Sequence, residues 1–208
     1  VDEQVVGFEA LVRWQHPQRG CVAPGEFITL AEETGMIIPL GWWVLQEACD
    51  QLKKWQLQFN NPYLTIAVNI SQKQFSQPHL INSLIQILQT TGLEAHNLQL
   101  EITESLLIQD VPITMTTLKQ LKTLGVGLHL DDFGTGYSSL SYLHSLPIDA
   151  LKIDRSFVQA IDSEGNNCEI VEAIVMMAKS LGLQVIAEGI ETQAQLAKLR
   201  TLQCVYGQ

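Results

Sequence analysis

The 208-residue sequence predicts an α/β protein, a parallel sheet whose strands are joined by crossover helices. Three observations carry that prediction. Short apolar runs alternate with helical patterns along the chain. Two of the runs, "LTIAV" and "LQVIA", are continuously apolar, as strands covered on both faces are. Three helical patterns stop at a glycine just before a strand or turn, in "TTGLEAHNLQL", "LKTLGVGL" and "AKSLGLQV".

Taken in order, the first strand is "VVGFEALVRW" at residues 5–14. A helix over 37–57 follows, with Ile38, Leu45, Cys49, Leu52 and Trp55 on one face at roughly helical spacing. Trp42 and Trp43 lie inside it and read as helix packing. Next come the strand "LTIAVNI", a helix over 78–91 and the strand "LQLEIT". A helix over 112–124 leads to "VGLHLDD", and one over 137–146 leads to "ALKID". A helix over 169–181 leads to "LQVIAEG", and a last helix covers 192–202. A closed β/α barrel and an open doubly wound sheet both fit this order. No Pro/Gly/Ser-rich linker divides residues 1–208, so one domain is expected.

Composition narrows the function. Hydrophobic residues make up 46% and charged residues 16%, which suits a packed core and not a disordered chain. Twelve basic residues against 22 acidic ones leave a net charge of −10, with no basic stripe, which speaks against binding a DNA or RNA polymer. Such a chain can still take an anion if cations stand between the two. Cys21, Cys49, Cys168 and Cys204 are scattered without a C-x-x-C, so no zinc knuckle or thioredoxin motif is supported. Lone cysteines suit a reducing compartment. The run "MIIPLGWWVL" is too short to span a bilayer, and no signal peptide is visible. The abrupt start and the ending "YGQ" suggest a piece of a longer protein.

The ends of the strands carry the chemistry. "AVNIS" brings Asn69, "LQLEITE" brings Glu101 and Glu104, "LHLDDFGTGYSS" brings Asp131 and Asp132, "LKIDRS" brings Lys152 and Asp154, and "VIAEGIE" brings Glu188 and Glu191. Glu9 stands in the first strand. The steps from Glu9 to Asn69, Glu101, Asp131, Lys152 and Glu188 are 60, 32, 30, 21 and 36 residues. A βα unit needs about 30. Consecutive units therefore place a polar group at one end of the sheet, the end where barrel enzymes carry their sites.

Strand alternation puts Glu9, Leu11 and Arg13 on one face. The Cα atoms of Glu9 and Arg13 are then about 13 Å apart, too far for an unstrained pair. A buried Glu9 needs another cation, and Arg13 is left to meet an anion such as phosphate, the alternative being a salt bridge with a neighbouring strand. Asp131 and Asp132 make the same demand, because crowded carboxylates need a cation or a shared proton; taken alone, the pair also suits a helix cap or turn. "FGTG" follows and lets the chain turn so that both converge. A donor set of Asp, Glu and Asn oxygens favours Mg²⁺, Mn²⁺ or Ca²⁺. Its size suggests two metals, an arrangement suited to displacement at phosphorus. His129 falls on the face of Asp131, one layer below, and reads as a packed, hydrogen-bonded histidine. His16, His79, His96 and His144 form no ligand pair and read as surface residues. A glycosidase using a carboxylate pair is the weaker alternative, since Asn69, Lys152 and the Asp pair would be surplus to it.

The strings "GFEALVRW", "VNIS", "EITES", "DDFGTGYSSL", "LKIDRSFV", "AEGIET" and "YGQ" together resemble the EAL domain, the cyclic di-GMP phosphodiesterase family. The resemblance implies a TIM-like (β/α)8 barrel with an antiparallel first strand, here truncated at both ends. It implies hydrolysis of one phosphodiester of cyclic di-GMP to linear pGpG with two Mg²⁺ or Mn²⁺, and inhibition by Ca²⁺. Glu9, Asn69, Glu101 and Asp131 would hold one metal, and Asp131, Asp132 and Glu188 the other. Lys152 would stand beside the attacking water, with Asp154 orienting it or touching that water, and Gln208 near the same water. Arg13 and Leu11 would meet substrate. Glu104 would anchor the loop 133–139, and Glu191 would support from behind. A homodimer, a cytoplasmic location, and a sensory or diguanylate-cyclase-type domain in a longer chain that could be membrane-tethered follow from family habit. A non-catalytic cyclic di-GMP receptor is the alternative. Degenerate relatives of that kind usually lack a carboxylate, and this chain lacks none.

Overall fold

The computed structural model describes residues 4–108, 110–134, 143–161 and 168–208. The chain forms two compact units. One comprises Val1–Glu101 and Gln120–Gly127, the other Ile102–Lys119 and Leu128–Gln208.

In the first unit, strand β1 (Gly7–Ala10) lies parallel to β4 (Thr65–Asn69), with Glu9 opposite Ala67. β4 lies parallel to β5 (Leu98–Thr103), with Asn69 opposite Glu101. Ile66, Val68, Leu98 and Leu100 are buried. The helix Ile37–Gln58 presents Leu45, Ala48, Cys49 and Leu52 inward, one stripe at helical spacing. Leu84, Ile87 and Leu88 do the same on the helix Leu80–Thr91.

The first strand differs from expectation in two ways. It runs parallel, not antiparallel, to its neighbour. The chain returns from β1 to β4 through the helices Pro24–Thr34 and Ile37–Gln58, and such a crossover re-enters a sheet in the same direction. The strand also stops at Ala10. Trp14–His16 and Gly20–Val22 form a separate antiparallel hairpin, β2 and β3, around the three residues Pro17, Gln18 and Arg19. Gly20 adopts φ 71°, the left-handed conformation that follows a three-residue hairpin loop. Residues 11–13 therefore lie outside both strands, and alternation does not carry from Glu9 to Leu11 and Arg13. The helix Pro24–Thr34, with proline in its first turn and Gly35 beyond its end, also went unpredicted.

In the second unit, β6 (Gly127–Phe133), β7 (Ala150–Ile153), β8 (Gln184–Ala187) and the short β9 (Tyr206–Gly207) are paired in that order, all parallel. β6 begins with Gly127 in the first unit and enters the second at Leu128. Val171, Ile174, Val175 and Ala178 form the buried stripe of the helix Glu169–Ser180. A capping box between Thr192 and Gln195 starts the helix Gln193–Thr201. Most of the helix expected over 137–146 lies outside the described residues.

The three glycine stops are borne out: Gly92, Gly125 and Gly182 adopt φ 67°, 95° and 73°. All four cysteines are free. Cys49 is fully enclosed, and burial, helped by the charge of Asp50, pushes its thiol up to about 12. Trp42 is half-buried in its helix, whereas Trp43 is exposed. Among the described residues no helix is long and apolar enough to cross a membrane.

Candidate active site

Each unit gathers polar side chains at the carboxyl ends of its strands. In the first, parallel register and alternation place Glu9, Asn69 and Glu101 on one face. Asn69 Nδ2 donates to Glu9 Oε1 at 2.8 Å. That bond uses one of the amide's two N–H groups and leaves its carbonyl oxygen as the atom a cation would take. Glu101 is buried at 2% exposure. Leu11 and Arg13 are both exposed, and Arg13 Nη1 donates to the carbonyl of Val12.

The centre of the second unit is Lys152, 1% exposed in the middle of β7. Its Nζ lies 2.6 Å from Glu188 Oε1 and 3.2 Å from Asp131 Oδ1. Asp131 directly follows Leu130, the last residue of β6 before its register with β7 shifts, and Glu188 directly follows β8, its N–H donating to the Ile153 carbonyl. Two carboxylates on one ammonium leave an excess negative charge in a largely enclosed place, which a further cation or a shared proton would relieve.

Asp132 adds to it. The β6–β7 register shifts between Leu130 and Phe133, and Asp132 itself adopts φ 53°. The irregularity thus lies within the Asp pair, earlier than the glycines that the sequence pointed to. Asp132 is exposed. The oxygen-only donors of both units fit a hard divalent cation in kind and charge. Among the described residues, no three or more of His, Cys, Asp and Glu converge as a preformed cage. In the second unit Asp131 and Glu188 converge on Lys152.

Glu104 Oε1 accepts the N–H of Gly134 at 3.0 Å, at the start of the loop it was expected to anchor. Residues 135–139 of that loop lie outside the described residues. Glu104 is buried, and among the described residues its Oε2 has no hydrogen-bond partner. Gln208 is tied beside Glu188 by its backbone: its N–H donates to the Ala187 carbonyl and its carbonyl accepts from Ile190. Glu191 is exposed and accepts from Gln159 Nε2, at the start of the capped helix.

Asp154 has a structural role as well. Its carboxylate caps the helix Arg155–Gln159, accepting the N–H of Ser156 at 2.9 Å and the Ser156 hydroxyl. Partial burial alone would raise this carboxyl, but the Ser156 bonds and the nearby Arg155 charge hold it below its ordinary 3.8. A strand followed at once by "DRS" was a legible capping signal.

Two features escaped the sequence reading. Asp149 braces the starts of three strands: its N–H donates to the Leu128 carbonyl, its Oδ2 accepts the Leu128 N–H, and its carbonyl accepts the Gln184 N–H. His16, expected to be an idle surface residue, accepts backbone hydrogen bonds within the hairpin turn. His129 is half-buried opposite Ala150.

Parallel strands, returning helices and a lysine enclosed by carboxylates at the strand ends define an α/β protein with an acidic site at its sheet edge. More particularly, the chain belongs to the EAL domain family, whose description matches residues 1–208. It is 46% identical over 200 residues to the bifunctional diguanylate cyclase/cyclic di-GMP phosphodiesterase MucR of Pseudomonas aeruginosa, covering 96% of this chain and 29% of MucR. It is 45% identical over 196 residues to the cyclic di-GMP phosphodiesterase PdeR of Escherichia coli, covering 94% and 29% respectively. The solved PaMucR phosphodiesterase in complex with c-di-GMP superposes with a TM-score of 0.90 at 46% identity, covering 96% of this chain and 80% of that one. The chain thus spans under a third of the length of these curated relatives.

Proposed function

We propose that this chain is a cyclic di-GMP phosphodiesterase domain that opens one phosphodiester of the ring to give linear pGpG. The observation that carries the reading is Lys152, enclosed and held by Asp131 and Glu188. The names of MucR and PdeR and the c-di-GMP complex of PaMucR support the substrate. The likeness to that complex also supports a TIM-like barrel as the complete fold.

Two divalent cations, Mg²⁺ or Mn²⁺, would supply a strong nucleophile from water at neutral pH and neutralise charge on the phosphoryl oxygens. Glu9, Asn69 and Glu101 of the first unit and Asp131, Asp132 and Glu188 of the second are the proposed ligands. Lys152 delivers a fixed positive charge to the phosphate as it gains charge in the transition state, without having to reorganise. Its two carboxylate partners hold it in one place. Arg13, exposed and donating to the carbonyl of Val12, reaches a substrate phosphate, and Leu11 lies against the nucleotide. Gln208, fixed through its backbone, offers its amide near the attacking water. A homodimer, a cytoplasmic location and an attached sensory or diguanylate-cyclase-type domain complete the reading.

The test is turnover by the full-length protein, with and without divalent cation, followed by separation of cyclic di-GMP from pGpG. Metal-dependent appearance of pGpG supports the proposal. Tight binding of cyclic di-GMP without product in either Mg²⁺ or Mn²⁺ would replace it with a receptor role.

A further inference from the structure

The hairpin next to Arg13 is closed by an acceptor that protonation destroys. His16 occupies the first position of the turn, Pro17 the second, and Gly20 the paired position on the return strand. His16 Nδ1 accepts the N–H of Gln18 at 3.1 Å and the N–H of Arg19 at 3.2 Å. An Asn or Asp side-chain oxygen does the same for the residues that follow it in an Asx-turn. Nδ1 can accept only as the bare nitrogen of a neutral ring whose proton sits on Nε2, because both nitrogens of an imidazolium are donors.

The same ring braces the segment that carries Arg13. The His16 and Trp14 rings meet edge to face with centroids 4.9 Å apart, and Trp14 meets Phe27 of the helix Pro24–Thr34 in the same manner at 5.9 Å. Phe27 is buried. A chain of three rings therefore runs from the turn to the first unit's helical layer, with Arg13 directly before its middle member. The charged and titratable groups of the hairpin, of the segment before it and of the helix Pro24–Thr34 are Arg13, Arg19, Cys21, Glu26, Glu32 and Glu33. Arg19 and Glu26 are paired with each other.

We infer that His16 is a positioning residue: its unprotonated Nδ1 closes the turn, its ring sets Trp14, and proton uptake loosens the hairpin and with it the placement of Arg13. Both bonds lie on the surface, so the turn depends on the acceptor and not on enclosure. The inference rests on the proposed phosphate contact of Arg13 only for its effect on substrate.

The experiment is backbone amide exchange, read by mass spectrometry on the peptide spanning residues 14–22 of the full-length protein, corrected for the intrinsic pH dependence. Wild type is compared with H16N and H16A at about pH 8 and about pH 5. H16N supplies an oxygen that cannot be protonated in this range. Wild type should lose protection about tenfold at the lower pH, H16A should lack it at both, and H16N should keep it at both. The KM for cyclic di-GMP should rise in H16A and recover in part in H16N, which restores the acceptor but not the ring contact with Trp14, with kcat little changed. Equal pH sensitivity in H16N and wild type, or full protection in H16A, overturns the inference. So does a KM unaffected by an open turn. Absence of turnover in the wild type instead defeats the phosphodiesterase reading and leaves the exchange comparison intact.

Discussion

Lys152 and Glu188 form an ion pair at 2.6 Å in which the lysine is almost completely withdrawn from solvent. A buried ammonium persists only where carboxylates are arranged around it before any ligand arrives. Replacing Lys152 by Met keeps the volume and removes the charge, leaving Asp131 and Glu188 enclosed without it. The variant should lose about 3–5 kcal/mol of stability, measured by urea unfolding. Turnover should fall by about a hundredfold or more. A stable variant with wild-type turnover would refute the central role given to this residue.

Glu9→Ala should separate function from folding. The substitution removes the acceptor for Asn69 Nδ2 on a half-buried strand end, so stability should change by only about 1 kcal/mol. Activity should nonetheless drop severely, because one of the proposed cation ligands is gone. Activity near wild type would count against that ligand set.

Asp132 offers a comparison of backbone with charge. Asn tolerates the left-handed region at φ 53°, whereas Ala does not. Asp132→Asn should unfold with wild-type midpoint yet turn over slowly. Asp132→Ala should show the same slow turnover and a further loss of about 1 kcal/mol. Equal stability of the two would mean that the bend is held by its neighbours alone.

Asp154 predicts a pH-dependent stability difference. Its folded carboxyl titrates below the ordinary 3.8, so its capping contribution is fully present above 3.8 and is lost as pH falls through the lower folded value. Asp154→Ala should cost about 1 kcal/mol at neutral pH. The gap between variant and wild type should close on acidification below that range. A gap that stays constant down to about pH 2 would deny the carboxylate its part in the cap.

Divalent cations should stabilise the protein as well as activate it. Removing them with a chelator should abolish turnover and lower the unfolding midpoint, and Mg²⁺ or Mn²⁺ should restore both. Ca²⁺ should restore the midpoint but inhibit, since it suits oxygen donors while activating water less. Calcium-supported turnover equal to that with Mg²⁺ would contradict this.

The parts of the fold that repeat were legible in the sequence. Uninterrupted apolar runs located β4 and β8, and glycine stops located three helix ends, because burial on both faces and a left-handed residue each leave a mark on residue type. Polar strand ends at unit-length spacing picked out Glu9, Asn69, Glu101, Asp131, Lys152 and Glu188. The first strand was over-read because "VVGFEALVRW" is apolar enough to continue, while the break comes from the hairpin that "HPQRG" closes. The capping role of Asp154 was missed because a capping carboxylate and a catalytic one look alike at a strand end, although Ser156 two residues on was a cue. The pairing of Lys152 with both Asp131 and Glu188 joins residues far apart in the chain, and nothing local announces it.

The enclosure of Cys49 has a practical side. A thiol raised to about 12 and sealed from solvent will ignore maleimides at neutral pH, and burial also raises Cys204, whereas Cys21 stands exposed on the return strand of the hairpin. A fluorophore offered to the untouched protein should therefore settle first at Cys21, where its polarisation would report opening of the neighbouring turn in real time without any engineered attachment point.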